Sequence, residues 1–151
     1  LREIFRREIE ESAELIHKAH KNDVPILCGS ESGFSITPYG EWHYRELEVF
    51  VKELGFSPLE AISAATLQCG NHAGFDGETG SIAVGKLADF ILVEGNPAAD
   101  VTILGDKSRI KSVYVGGELM NTEPLPPRKP ISGWRTSQYS SSILTRDKVD
   151  G

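Results

Sequence analysis

At 151 residues the chain is one domain or part of a larger one, long enough to bury roughly 70% of its unfolded surface if it folds alone, so size does not demand a partner. Its 16 Lys and Arg stand against 22 Asp and Glu, a net charge of −6, and no basic run is dense enough to track a phosphate backbone, which argues against a nucleic-acid ligand. No window holds the apolar run that a membrane span needs, and the charged opening residues are unlike a signal peptide.

From Arg2 to Lys21 the apolar residues Phe5, Ile9, Ala13 and Ile16 recur at helical spacing, and Asn22-Asp23 breaks the pattern. The apolar run Val24 to Cys28 then reads as a buried strand. A Gly- and Pro-bearing loop, Gly29 to Gly40, follows it. Leu47, Phe50, Val51 and Leu54 stand at i, i+3, i+4 and i+7 of a second helix that Gly55 ends. Ser57-Pro58-Leu59-Glu60 predicts a helix start at once, with serine as N-cap, proline at the first helical position and glutamate at N3.

Past Gly74 the texture turns extended, with short runs such as Phe90-Ile91-Leu92-Val93 between glycines. Ile110 to Val115 and Glu118 to Met120, joined by Gly116-Gly117, predict a hairpin, because two glycines accept the positive φ angles of a two-residue turn. From Thr122 onward the prolines and the run Ser140-Ser141-Ser142 predict a tail that wraps over other surfaces or is disordered. The chain begins with Leu1 inside a helical pattern and is expected to be a piece of something longer. Cys28 and Cys69 are expected to be reduced core thiols of a cytoplasmic protein rather than a disulfide framework.

One carboxylate draws the eye. In Ile26-Leu27-Cys28-Gly29-Ser30-Glu31-Ser32-Gly33, Glu31 follows directly on the apolar run, and a carboxylate where a core strand emerges is held firmly while facing solvent. Taken alone it reads rather as a loop carboxylate capping a neighbouring backbone N–H than as an active-site group. His17 and His20 stand three apart and could share a helix face, which is expected to be solvated rather than metal-binding. Lys86 and Asp89 are expected to serve structure, Asp89 through a turn or backbone hydrogen bond.

The segment from Glu60 to Pro97, "EAISAATLQCGNHAGFDGETGSIAVGKLADFILVEGNP", resembles the closing segment of metal-dependent amidohydrolases, above all their imidazolonepropionase-like and prolidase-like branch. The stretches that carry the likeness are Glu60-Ala61-Ile62 with Ala64-Ala65-Thr66, Gly80-Ser81-Ile82, Gly85-Lys86-Leu87-Ala88-Asp89, and Val113 to Gly117. Together the likeness runs from about Val24 to Met120.

The resemblance implies an α/β fold: the C-terminal portion of a (β/α)8 TIM-type barrel plus part of a small β-sandwich domain. On that reading residues 1–74 end the hydrolase barrel, with Val24 to Cys28 as its last strand. Residues 75–121 form the C-terminal part of the composite sandwich, and residues 122–151 are the Pro/Ser-rich tail. The family carries G-[ST]-D after that last strand, and its aspartate binds the catalytic metal site and moves protons between the attacking water and the leaving nitrogen. Gly29-Ser30-Glu31 occupies the same place, at the barrel face where such enzymes keep their sites. Glutamate replaces aspartate, which moves the carboxylate outward by about 1.5 Å.

Glu31 is therefore the implied catalytic residue and metal ligand, and His43 and Tyr39 are the implied substrate-binding residues. The implied cofactor is a divalent metal, zinc by default, with most of its ligands outside this chain. The implied function is cleavage of an amide-type C–N bond in a small-molecule substrate by metal-activated water. These residues alone are expected to be inactive, needing the missing N-terminal part or another copy of the chain. A catalytically degenerate homologue and a non-enzymatic protein-interaction module are the alternatives.

Overall fold

The computed structural model describes residues 2–33, 40, 42–75 and 77–123. Tyr39 and most of the Pro/Ser-rich tail, from residue 124 on, lie outside the described residues.

Helix α1 (Arg2–Lys21) has the span that its periodicity predicts. It closes at Asp23, which takes the left-handed conformation at φ 57°, while the amides of Asp23 and Val24 return to the carbonyls of His20 and Ala19. That is the pairing of a helix end capped by a left-handed residue, and aspartate is among the few non-glycine types that tolerate it. Helix α2 (His43–Lys52) is followed by Gly55 at φ 78°. A Cβ there would also lie 2.5 Å from the His17 ring. Helix α3 (Pro58–Ala65) begins with the full reciprocal cap that its sequence predicts: Glu60 N–H donates to Ser57 Oγ and Ser57 N–H donates to Glu60 Oε2. A short helix α4 (Leu67–His72) follows.

The run expected as a core strand, Val24 to Cys28, pairs with no described strand and is not one here. Its Cys28 amide donates instead to Ala64 O of α3. A ladder exists only where a neighbour supplies its other half, and no described residues flank this run to do so. The described residues accordingly form helices and one small sheet, without a closed barrel.

The sheet is antiparallel, in the order β1 (Phe90–Val93), β2 (Ile110–Val115), β3 (Glu118–Leu119). Phe90 faces Tyr114 across β1 and β2, and their rings stack with centroids 4.6 Å apart. Gly116 and Gly117, at φ 58° and 83°, make the two-residue turn between β2 and β3. Two 3-10 turns, Val101–Gly105 and Lys107–Arg109, connect β1 to β2, each capped by an aspartate, Asp100 and Asp106. The first seats Val101 among the core residues Leu47, Phe50, Leu54, Phe56, Ala61 and Ala64, against which Ala13 and Ile16 of α1 also pack.

The Gly-Lys-x-Ala-Asp stretch does the structural work expected of it. Asp89 Oδ1 accepts from Gly116 N–H at 2.7 Å, its other oxygen accepts from Thr79 Oγ1 at 3.4 Å, and Lys86 Nζ donates to Thr79 O at 3.4 Å. The loop so clasped presses onto the junction of α3 and α4, where a Cβ on Gly80 would meet Thr66 O at 2.5 Å.

Candidate active site

The chain leaves the core at Cys28 and enters a loop held from one side by the first turn of α2. Gly29 N–H donates to Glu46 Oε1 at 2.8 Å. Ser30 Oγ lies 3.0 Å from His43 Nδ1 and 2.9 Å from Ser32 Oγ, with the tautomer and hydroxyl rotors setting which atom donates. His43 and Glu46 stand three apart, so one helix face grips two consecutive loop residues.

Glu31 comes next in the chain. It is exposed, and its φ of 45° lies in the left-handed region that a side chain with a Cβ seldom adopts. The structure thus brings His43, at the start of α2, against Ser30 of the loop that carries Glu31. Glu46, which sequence reasoning passed over, is what anchors that loop. Its only signal in the sequence is its place one turn beyond His43 in a helix that starts just past the loop.

Beside Glu46, burial pushes the Cys28 thiol up to about 12, with the Glu46 carboxylate and then Cys69 adding to the effect. Cys69 Sγ donates to Ala64 O at 3.0 Å and to Cys28 O at 3.4 Å, and both cysteines are free. Among the described residues the buried Glu46 Oε2 accepts no N–H or O–H hydrogen bond, and the Cys28 thiol is the carboxylate's neighbour.

Among the described residues no three His, Cys, Asp or Glu side chains converge on a point where a metal ion could sit, so they do not by themselves make a metal site. The remaining histidines have other work. His17 Nδ1 lies 3.0 Å from Leu54 O at the end of α2. His20 stacks on Phe56 at 3.7 Å and reaches Glu60 Oε1 at 3.5 Å. Both are partly buried by these contacts rather than solvated. His72 Nδ1 lies 2.9 Å from Gln68 O within its own helix. A cleft between α3 and β1, lined by Ile62, Ala65, Thr66, Ile91, Val93 and Leu104, has no titratable side chain and so offers no acid–base chemistry.

A model of the amidohydrolase family matches residues 6–120. The ochratoxinase of Aspergillus niger is 34% identical over 83 residues, 54% of this chain and 17% of that protein. An adenine deaminase of Methanococcoides burtonii is 40% identical over 99 residues, 65% of this chain and 14% of that protein. Among solved structures, that of the A. niger ochratoxinase is similar with a TM-score of 0.63 at 31% identity, covering 71% of this chain and 24% of its own. A prolidase-like protein of Bifidobacterium longum has a TM-score of 0.64 at 35% identity, covering 76% of this chain and 27% of its own. The chain therefore spans less than a third of each of these relatives.

Proposed function

The chain belongs to the amidohydrolase family, and from that premise we propose that it is the C-terminal part of a metal-dependent hydrolase that cleaves an amide-type C–N bond in a small molecule. The observation that carries this reading is the placing of Glu31. It is an exposed carboxylate on a loop tethered at both preceding residues, and the resemblance of Gly29-Ser30-Glu31 to the family's G-[ST]-D supports reading it as the proton-carrying acid.

In the proposed role Glu31 takes a proton from the attacking water and delivers it to the leaving nitrogen, which a group within hydrogen-bond reach of both atoms can do. His43, whose Nδ1 is engaged with Ser30, is proposed to meet substrate through Nε2, and Tyr39 is proposed as a second substrate-binding residue. The cofactor is a divalent ion, zinc by default, which when bound activates water as a Lewis acid. Its ligands are proposed to lie mainly outside this chain, with Glu31 contributing one. The protein is proposed to work in the cytoplasm, where Cys28 and Cys69 would stay reduced. No helix among the described residues is long and apolar enough to cross a membrane.

The test is hydrolysis of a panel of N-acyl amino acids and dipeptides by the full-length protein, with and without added divalent metal. Metal-dependent turnover that falls by roughly a hundredfold to ten-thousandfold in Glu31→Ala is the expected result. The 151 residues alone are expected to be inactive. Their turnover of the same panel, or parental turnover by Glu31→Ala, would overturn the reading. The second reading, a degenerate site, is favoured by the glutamate at this position and its left-handed backbone. Glu31→Asp distinguishes the two, since aspartate raises turnover only if the site has decayed away from the family residue.

A further inference from the structure

We infer that Glu46 is a positioning residue for Glu31: by holding the Gly29 amide from the first turn of α2, it fixes the loop in the one conformation that presents the Glu31 carboxylate. The inference rests on the reading of Glu31 as the proton carrier.

Three observations carry it. First, Glu46 Oε1 accepts from Gly29 N–H at 2.8 Å, while one turn earlier His43 meets Ser30 Oγ at 3.0 Å. Two successive loop residues are thus pinned to one helix face, and the next residue is Glu31. Secondly, Glu31 sits at φ 45°. Such a conformation costs a non-glycine residue free energy and persists only where its surroundings over-determine it. The two tethers immediately upstream supply that constraint. Thirdly, among the described residues the buried Glu46 Oε2 accepts no N–H or O–H hydrogen bond, and the weakly donating Cys28 thiol is the carboxylate's neighbour. A carboxylate so thinly satisfied is a poor choice for stability alone, where an apolar side chain would do better. What the charge does supply is a stronger bond to the Gly29 amide than a neutral acceptor would give.

The experiment is steady-state kinetics of the full-length protein on the dipeptide or N-acyl amino acid it turns over fastest. Glu46→Ala is expected to lower kcat by roughly tenfold to a hundredfold, as about 1 Å of misplacement does, with KM within a few-fold of the parent. Glu46→Gln keeps the Oε1 acceptor and is expected to recover most of that loss. The decisive variant is the pair Glu31→Ala/Glu46→Ala: a residue that acts only through Glu31 adds no further loss once Glu31 is gone. If Glu46→Ala does not fold, Ser30→Ala removes the neighbouring tether at little structural cost and is expected to lower kcat about tenfold.

Parental kcat in Glu46→Ala, or in Ser30→Ala where that variant carries the test, overturns the inference while leaving the function standing if Glu31→Ala is impaired. An independent, additive loss in the double variant overturns it as well. Parental turnover in Glu31→Ala overturns the proposed function and this inference with it.

Discussion

The Asp89 carboxylate accepts the Gly116 amide proton at 2.7 Å, joining the entry of β1 to the turn between β2 and β3 across 27 residues of sequence. Gly117 N–H donates to Ala88 O beside it at 3.0 Å, so the hairpin is fixed to β1 at its tip as well as along its ladder. Asp89→Ala is expected to destabilise by about 1 kcal/mol, since the acceptor is lost at an exposed site. Asp89→Asn, which keeps an acceptor without the charge, should cost about half as much. The midpoint of urea unfolding measures both, and unchanged midpoints would show that the clasp is idle.

The cap of α3 makes a pH-dependent contribution whose sign is set. The Ser57 hydroxyl and then the Ser57 amide hold the Glu60 carboxyl below its ordinary value of 4.5, with His20 and Lys21 adding to the effect. Because the folded state favours the ionised form, the contribution is complete above about 4.5 and is lost as pH falls through the lower folded value. Acid titration of thermal stability should therefore be shallower in Glu60→Gln than in the parent below that pH. Ser57→Ala, which removes the N-cap oxygen, is expected to cost about 1 kcal/mol at neutral pH.

Glu31→Gly separates conformation from chemistry. Glycine takes a φ of 45° without steric cost, so the substitution should relieve strain on the order of 1 kcal/mol, partly offset by the entropy of a freer unfolded chain. On the proposed function the same variant loses turnover by roughly a hundredfold or more. Melting temperature and kcat should thus move in opposite directions. A variant that melts lower and keeps its turnover would contradict both expectations.

Cys28 should be slow to alkylate. Its thiol is pushed from 9.0 to about 12 by burial first and the Glu46 carboxylate second, so at pH 8 the thiolate fraction is on the order of 10⁻⁴. Iodoacetamide should label it far more slowly in the folded protein than in urea. The fold favours the protonated thiol, so stability should be constant up to about pH 9 and decline above it as the unfolded chain ionises first. Cys28→Ala should flatten that decline in melts run at pH 8 and pH 10.5. A parental slope in Cys28→Ala would assign the effect to another group.

What could be read in the sequence is what short stretches decide for themselves. The span of α1, the cap Ser57-Pro58-Leu59-Glu60 and the Gly116-Gly117 turn rest on residues within a few positions of one another, and the structure agrees with each. Val24 to Cys28 has strand composition, but a strand needs a neighbour, and composition says nothing of whether one is there. His17 and His20 read as a solvated face because their partners, Leu54 O and Phe56, lie more than thirty positions away. Glu46 escaped for the same reason: its bond to Gly29 spans 17 residues. Glu31 stands out in the sequence by its place in Gly29-Ser30-Glu31, whereas its left-handed backbone does not show there, since glutamate is not a residue type that signals one.

Helix α1 is fastened at one end. Ala13 and Ile16 reach the core, while Phe5 and Ile9, on the same stripe, are 55% and 69% exposed. Its first half is therefore held by its own backbone and by the exposed pair Arg7–Glu11, which adds only a few tenths of a kcal/mol, in a length of helix that is marginal by itself in water. Amide hydrogen exchange along α1 should consequently form a gradient, fast near Ile4 and slow near Ala19. Whatever covers Phe5 and Ile9 in a larger assembly would register first as the loss of that gradient.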